Sequence, residues 1–221
     1  MSECLQFEID PLKITESVIG GVLMAVDVLV FSPDDYPSDP EHPVCMIAAA
    51  HTTGLSSISK VYTKLFVANT ASPLEESLII KSFCGYLDVF NGGTLAVHYG
   101  ATESMDEGFD LPYLLLRARD NHPEVYIDLK RGLGKFRFHD TCMFARKNLN
   151  LSSNDLEHVE SYYGLARKPE AGISDVRAGF ARYWREGDAS VLRFGLTNVY
   201  NCIRIAQSQI RRSICCTDVP F

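Results

Sequence analysis

The apolar run from Gly21 to Phe31 places the strongest limit on how this chain can fold. It is rich in β-branched residues and contains one charged side chain, Asp27. Such a run is typical of a central strand that is buried on both faces. A carboxylate inside a buried strand is costly unless it is hydrogen-bonded, paired or bound to a metal. Asp27 is therefore a candidate ligand, and the alternative is a hydrogen-bonded structural aspartate.

The rest of the chain mixes strand and helix patterns. A loop with four prolines follows the first strand, and Ser72 and Pro73 mark the start of the first helix. The next predicted elements are strands at 44–50 and 61–68, a helix from 73 to about 90, a strand at 94–99, a helix at 111–118 and a strand at Val125–Leu129. After Asp140 the pattern is helical, with capping signals at Ser152–Ser153 and Ser174–Asp175. A final helix is predicted from about 188 to 212. This order predicts an α/β fold with a mixed central sheet flanked by helices.

Length and composition fit one globular domain. The chain has 221 residues, of which 46% are hydrophobic and 22% are charged, and these are ordinary values for a protein with a single core. We expect one domain over residues 1–221, with peripheral tails at 1–20 and 213–221.

The sequence also limits the cellular setting. No apolar segment has the length of a membrane helix, and the N-terminus lacks the pattern of a secretory signal, so we expect no membrane partner. Seven cysteines without C-x-x-C spacing indicate reduced thiols and an intracellular protein, in either the cytoplasm or the nucleus.

Charge is distributed unevenly along the chain. Residues 1–110 contain four basic and 16 acidic residues, a net charge of −12, whereas residues 111–221 have a net charge of +5. This asymmetry indicates a surface on the second half that faces a polyanion, although arginines on solvated helix faces would produce the same count. On this basis Arg146, Lys147, Arg167 and Lys168 are candidate nucleic-acid-binding residues.

Two segments resemble motifs of one family. Asp27 lies in Val26-Asp27-Val28-Leu29, and Asp110 lies in Phe109-Asp110-Leu111-Pro112-Tyr113-Leu114, with Arg117-Ala118 shortly after. Alone, Asp110 would be interpreted as a helix cap. Together the segments resemble the 3′–5′ exonuclease domain of family B DNA polymerases, which has the ribonuclease H-like fold.

The C-terminal third resembles bacterial predicted exonucleases of the same superfamily. The matching segments include Leu156 to Glu160, Tyr163-Gly164 with Arg167, Tyr183-Trp184 and the stretch from Asn198 to Asn201. The resemblance covers roughly residues 22–210, and it implies a ribonuclease H-like fold for the whole domain.

The resemblance also implies a metal site, and this sequence departs from it. In the family, four carboxylates hold two magnesium or manganese ions. The matching positions here are Asp27, Leu29, Asp110 and Asn201. Leu29 occupies the expected glutamate position and cannot bind a metal, and Asn201 offers a neutral oxygen. The base-positioning tyrosine or histidine of the family falls on Thr197 or Leu196.

These departures favour an exonuclease-like domain with impaired catalysis. Asp27, Asp110 and Asn201 form the expected degenerate catalytic set, and Asp27 and Asp110 are the expected ligands of Mg²⁺ or Mn²⁺ if any metal binds. Expected partners are single-stranded nucleic acid, bound weakly, and a protein of a replication or repair assembly. One alternative is an active metal-dependent exonuclease in which Asp34, Asp35, Asp106 or Glu107 supplies a ligand. The other is a structural protein-interaction module.

Overall fold

The computed structural model describes residues 21–32, 41–54, 59–100, 108–167 and 175–217, and these ranges contain five strands and seven helices. The strands are β1 (Val22–Val30), β2 (Val44–Thr52), β3 (Tyr62–Val67), β4 (Gly93–Val97) and β5 (Phe136–Asp140). The helices are α1 (Pro73–Leu87), α2 (Asp110–Asn121), α3 (Pro123–Leu133), α4 (Thr141–Asn148), α5 (Leu156–Tyr162), α6 (Val176–Glu186) and α7 (Ser190–Thr217).

The strands form one mixed sheet in the order β3-β2-β1-β4-β5. The pairs β1–β2 and β2–β3 are antiparallel, whereas β4 is parallel to both β1 and β5. The carboxyl ends of β1, β4 and β5 therefore lie at the same edge of the sheet. This is the edge at which ligands commonly bind in open α/β sheets.

Helices cover both faces of the sheet. Leu23 and Ala25 of β1 pack with Val199 and Ile203 of α7 on one face. Residues of β1 in the alternate positions pack in the larger core, to which α1, α2 and α3 contribute. Because side chains alternate along a strand, Asp27 belongs to the set that faces α7.

A glycine allows α7 to approach the sheet closely. A Cβ atom at Gly195 would lie 2.5 Å from the Met46 methyl group, 3.4 Å from Ala48 Cβ and 3.6 Å from a methyl group of Leu29. The side chain of Leu29, which is 7% exposed, is therefore held between β1 and the first turns of α7. This packing fills the space beside Asp27 with hydrocarbon.

A buried ion cluster joins the helices of the opposite face to the sheet. The Glu76 carboxylate of α1 accepts hydrogen bonds from Val44 N at 2.7 Å and from Arg117 Nε at 2.8 Å. The same carboxylate lies 2.7 Å from His122 Nε2, and all three ionisable side chains are buried. The contacts of Glu76 therefore connect α1, α2 and β2.

The predicted α/β class with a mixed, helix-flanked sheet is confirmed, and one element is corrected. Val125–Leu129 was expected to be a strand, but it lies within α3, and the fifth strand is Phe136–Asp140. Pro123 is tolerated at the helix start, and Val125, Leu129 and Leu133 are buried at a spacing of four residues while Ile127 is exposed. The segment therefore forms a helix, because its buried residues recur with a helical period, although its β-branched residues favour a strand.

The capping predictions were partly right. Asp175 caps α6 by accepting from Ala178 N, as expected, whereas Ser174 lies outside the described residues. Asp155, and not Ser152 or Ser153, caps α5.

The predicted domain limits stay a prediction, because residues 1–20 and 218–221 are outside the described ranges. Among the described residues, no helix combines the length and the hydropathy needed to span a membrane.

Candidate functional site between the sheet and the last helix

Asp27 lies on the middle strand, opposite Ala48 of β2, and its side chain is partly exposed. Its Oδ2 accepts a hydrogen bond from Asn198 Nδ2 of α7 at 3.1 Å. The strand therefore presents the carboxylate to the last helix, and the helix supplies a neutral donor. Asn198 was not among the predicted site residues, although Asn198 and Asn201 are three residues apart, a spacing that places both on one side of a helix.

Asp110 is the first residue of α2 and is buried. Its Oδ1 accepts from the backbone N–H of Val28 at 3.2 Å, directly after Asp27. The N-cap position is occupied by Phe109, which makes no capping hydrogen bond. The alternative interpretation of Asp110 as a helix cap is therefore wrong, and the two aspartates lie together.

The two carboxyl groups interact electrostatically. Burial raises the pKa of Asp27 to about 6, against the opposing effects of the Asn198 hydrogen bond and the positive charge of Arg167. Burial and the neighbouring charge of Asp27 raise the pKa of Asp110 well above its ordinary value. Two adjacent carboxylates in a poorly solvated position resist double ionisation. The pair therefore keeps a proton at a higher pH than two exposed aspartates would.

A third aspartate lies near the pair, but its carboxylate oxygens accept hydrogen bonds from backbone N–H groups. Asp140, at the end of β5, accepts from Tyr99 N at 3.1 Å and from Gly100 N at 2.9 Å. It also accepts from two backbone N–H groups in the first turn of α4, which it caps. Asp140 is thereby committed to holding the turn after β4, and it adds only a minor upward effect to the pKa of Asp110.

The turn after β4 is shaped to fit Asp110. Tyr99 has a φ of 60°, a left-handed conformation that is strained for a tyrosine and that is found most often at functional sites. A Cβ atom at Gly100 would lie 2.9 Å from both Cβ and Oδ2 of Asp110. Only glycine allows the backbone to pass this close to the carboxyl group.

Two buried amides of α7 have atoms without a hydrogen-bond partner. Asn198 is 7% exposed and Asn201 is 3% exposed. Within the described part of the chain, neither Asn198 Oδ1 nor Asn201 Nδ2 has a hydrogen-bond partner. Buried polar atoms of this kind usually have a partner. The Asn198 side chain, which also donates to Asp27, therefore has unused hydrogen-bonding capacity beside that carboxylate.

Arg167 brings a positive charge to the site. Its guanidinium donates two hydrogen bonds to the buried carboxylate of Glu160, at 2.7 and 3.1 Å, and lies 5.5 Å from the ring centre of Phe194. It lowers the pKa of Asp27 by its charge. Arg167, a predicted nucleic-acid-binding residue, is mostly buried and already ion-paired.

Of the other predicted nucleic-acid-binding residues, two lie on α4 and one is outside the described residues. Arg146 and Lys147 are exposed on α4, and the Arg146 guanidinium lies 5.2 Å from the ring centre of Tyr99, next to the Asp110 turn. Lys168 is outside the described residues, as are Asp34, Asp35, Asp106 and Glu107, the acids considered as substitute ligands.

The four positions matched to the family's metal ligands differ in their chemistry. Asp27 and Asp110 supply two carboxylates, Leu29 is packed against α7, and Asn201 is neutral. Within the described ranges, no three His, Cys, Asp or Glu side chains are grouped as a metal site. Divalent ions of this class prefer several anionic oxygen ligands. The four matched positions therefore supply two of the four carboxylates that the resemblance implies.

Comparison with known proteins supports the fold. No protein-family profile matches the sequence, and no curated protein matches it. Among solved structures, the chain is similar to the family B DNA polymerase from the hyperthermophilic archaeon Pyrobaculum calidifontis, with a TM-score of 0.63 and 18% identity. The match covers 85% of this chain but 24% of the polymerase chain, so this protein spans about a quarter of that length. The likeness agrees with the ribonuclease H-like fold expected from the sequence.

Proposed function

We propose that this protein is an exonuclease-like domain that binds single-stranded nucleic acid and has lost most or all of its hydrolytic activity. The observation that supports the loss is the packing of Leu29 against Gly195, at the position where the resemblance requires a glutamate. A hydrocarbon side chain there removes a bridging ligand, and the neutral Asn201 removes a second anionic oxygen. Two-metal hydrolysis requires both.

The aspartate pair defines what the site can bind. We propose that Asp27 and Asp110 bind at most one divalent cation, Mg²⁺ or Mn²⁺, since these ions prefer carboxylate oxygens. A bound cation would supply positive charge for a phosphate group. Arg167 favours the ionised form of Asp27, but its own positive charge repels a cation and weakens the attraction of the site for a metal ion.

The similarity to a polymerase supports a role with nucleic acid. The basic second half of the chain, with a net charge of +5 over residues 111–221, supports the same proposal because a polyanion is attracted to such a surface. By this proposal, the domain acts in a replication or repair assembly, where it binds a single strand without trimming it.

Two measurements on one preparation test the proposal. We expect a 3′-labelled single strand to bind to the wild-type protein at low salt and to stay intact in millimolar Mg²⁺ or Mn²⁺. Asp110→Ala serves as the matched control for contaminating nuclease. Trimming by the wild type that disappears in Asp110→Ala would show an active exonuclease with non-standard ligands. Absence of binding at low salt would leave a protein-interaction module as the function.

A further inference from the structure

The solvent-facing side of α7 carries a straight row of basic and aromatic side chains. Arg193, Tyr200, Arg204 and Arg211 are 7, 4 and 7 residues apart, so at 3.6 residues per turn they fall within about 40° of one another around the helix. The row is about 27 Å long at 1.5 Å per residue. We call these four residues the arginine row.

The arginine row lacks acidic neighbours on its own helix. The α7 sequence, Ser190–Thr217, contains four arginines and no aspartate or glutamate, although the whole chain has a net charge of −7. Arg193 lies 3.9 Å from Asp188, whereas Arg204 and Arg211 form no ion pair with a carboxylate of the described residues. By contrast, Arg117 and Arg167 are each paired with a buried glutamate. Arg204 and Arg211 therefore present positive charge that no carboxylate of the described residues neutralises.

Two arginines of the row are held in place by a buried glutamine. Gln207 is fully buried, and its Nε2 donates to Gly54 O at 2.6 Å. Its Oε1 accepts from Arg204 Nη1 at 3.0 Å, and its backbone oxygen accepts from Arg211 Nε at 3.2 Å. Guanidinium groups fixed in this way lose less conformational entropy when they bind an anion.

The row also contains an exposed aromatic ring. Tyr200 is 41% exposed, and Arg204 lies 5.1 Å from its ring centre while donating to its hydroxyl group at 3.2 Å. Aromatic rings between fixed cations are the elements with which proteins bind single strands, because bases stack on the ring and phosphates contact the cations. Thr197 and Ser208 lie beside the row and are polar, which argues against insertion into a membrane surface.

We propose that the arginine row is the surface on which α7 binds single-stranded nucleic acid, with Arg204 and Arg211 contacting phosphates and Tyr200 stacking on a base. This inference rests on the proposed function and names its binding surface. Asn198, which contacts Asp27, lies about 120–160° around the helix axis from the residues of the arginine row, so a strand bound along the row would lie on the side of α7 that faces away from Asp27.

The test is a fluorescence-anisotropy titration with labelled oligothymidylate at several salt concentrations. Arg204→Gln with Arg211→Gln should weaken binding at least tenfold at low salt and reduce the log–log salt slope by about 1.4, or about 0.7 per lost phosphate contact. Tyr200→Leu should weaken binding about tenfold, and Tyr200→Phe should retain it, because stacking needs the ring. Arg119→Gln with Arg131→Gln is the matched control, since it removes two exposed arginines from α2 and α3.

The outcomes separate this inference from the proposed function. If the arginine-row variants bind the oligonucleotide with the same affinity as the wild type, the inference is overturned and the proposed function stays intact. Absence of wild-type binding overturns the proposed function itself. Polyglutamate that competes as well as unlabelled oligothymidylate at equal charge also overturns the inference, because it would identify an acidic protein as the partner. Thermal unfolding of each variant checks that these substitutions leave the fold unchanged, because Arg204 and Arg211 are half-buried.

Discussion

The Glu160 carboxylate and the Arg167 guanidinium form a two-point ion pair, with N–O distances of 2.7 and 3.1 Å, next to the aspartate pair. Glu160 is almost fully buried and Arg167 mostly so. A bidentate pair of this kind fixes the position of the guanidinium. Glu160 thereby holds a permanent positive charge near Asp27.

Removal of this ion pair should raise the pKa of Asp27. In Glu160→Gln with Arg167→Gln, both charges disappear together, so no buried carboxylate is left alone. The pKa of Asp27, about 6 with Arg167 present, should increase because the ionised form loses a favourable charge. The measurement is a carboxyl ¹³C NMR titration of labelled aspartate. Arg182→Gln, which removes an exposed arginine paired with Asp188, is the control. An unchanged Asp27 pKa in the double variant would contradict the electrostatic role of Arg167.

Asp110→Asn should stabilise the protein at neutral and alkaline pH. The folded state raises the pKa of Asp110 well above the ordinary 3.8, so between these pKa values the folded protein binds a proton that the unfolded chain has lost. The free energy of unfolding therefore falls as pH rises through this range. Asparagine keeps the oxygen that accepts from Val28 N and removes the charge. We expect a gain of about 1–3 kcal/mol at pH 8 and a flatter pH profile.

Urea denaturation at pH 4.5, 6 and 8 measures this effect. Asp120→Asn, at the exposed end of the same helix, is the control and should change the pH profile little. Equal pH profiles for the wild type and Asp110→Asn would show that the Asp110 carboxyl group is well solvated in the folded protein.

The sequence predicted the strands that present Asp27 and the segment that contains Asp110, because both lie in distinctive local patterns. The prediction was wrong at Val125–Leu129, because the β-branched residues there favour a strand. The segment is a helix because one of its faces packs against the core. The left-handed turn at Tyr99 and the roles of Glu76 and Arg167 depend on partners distant in sequence. Such contacts leave no local pattern. Asn198 was accessible in principle, since the predicted last helix already placed it near Asn201.

Arg117→Met should be strongly destabilising, because it leaves the buried Glu76 carboxylate without its main partner. Loss of one member of a buried ion pair costs about 3–5 kcal/mol. Glu76→Gln with Arg117→Met should recover part of this loss, since no buried charge then remains unpaired. Arg119→Met, in which the substituted arginine is 56% exposed and paired with Asp120, should cost about 0–1 kcal/mol. Urea denaturation of the four proteins measures these differences, and equal costs for Arg117→Met and Arg119→Met would show that the Glu76 cluster does not stabilise the fold.

Leu29→Glu tests whether the side chain at position 29, where the resemblance implies a glutamate ligand, is buried in the core. Leu29 is 7% exposed and lies where a Cβ at Gly195 would be 3.6 Å from its methyl group, so a glutamate there would be poorly solvated. Its pKa should be raised, and the variant should lose about 3 kcal/mol or more of stability at pH 8. Part of that loss should disappear at pH 5, where the side chain takes up a proton. Leu29→Gln, of the same size but without charge, should show a loss that does not depend on pH.

A double variant that includes Leu29→Glu tests whether the site binds a metal ion. In Leu29→Glu with Asn201→Asp, two anionic oxygens are restored, and millimolar Mn²⁺ should raise the thermal midpoint by more than it does in the wild type, because a ligand that binds only the folded state stabilises it. If Leu29→Glu alone is as stable as the wild type at pH 8 without metal, the side chain at this position reaches solvent. The packing of Leu29 against α7 would then not explain the loss of a ligand.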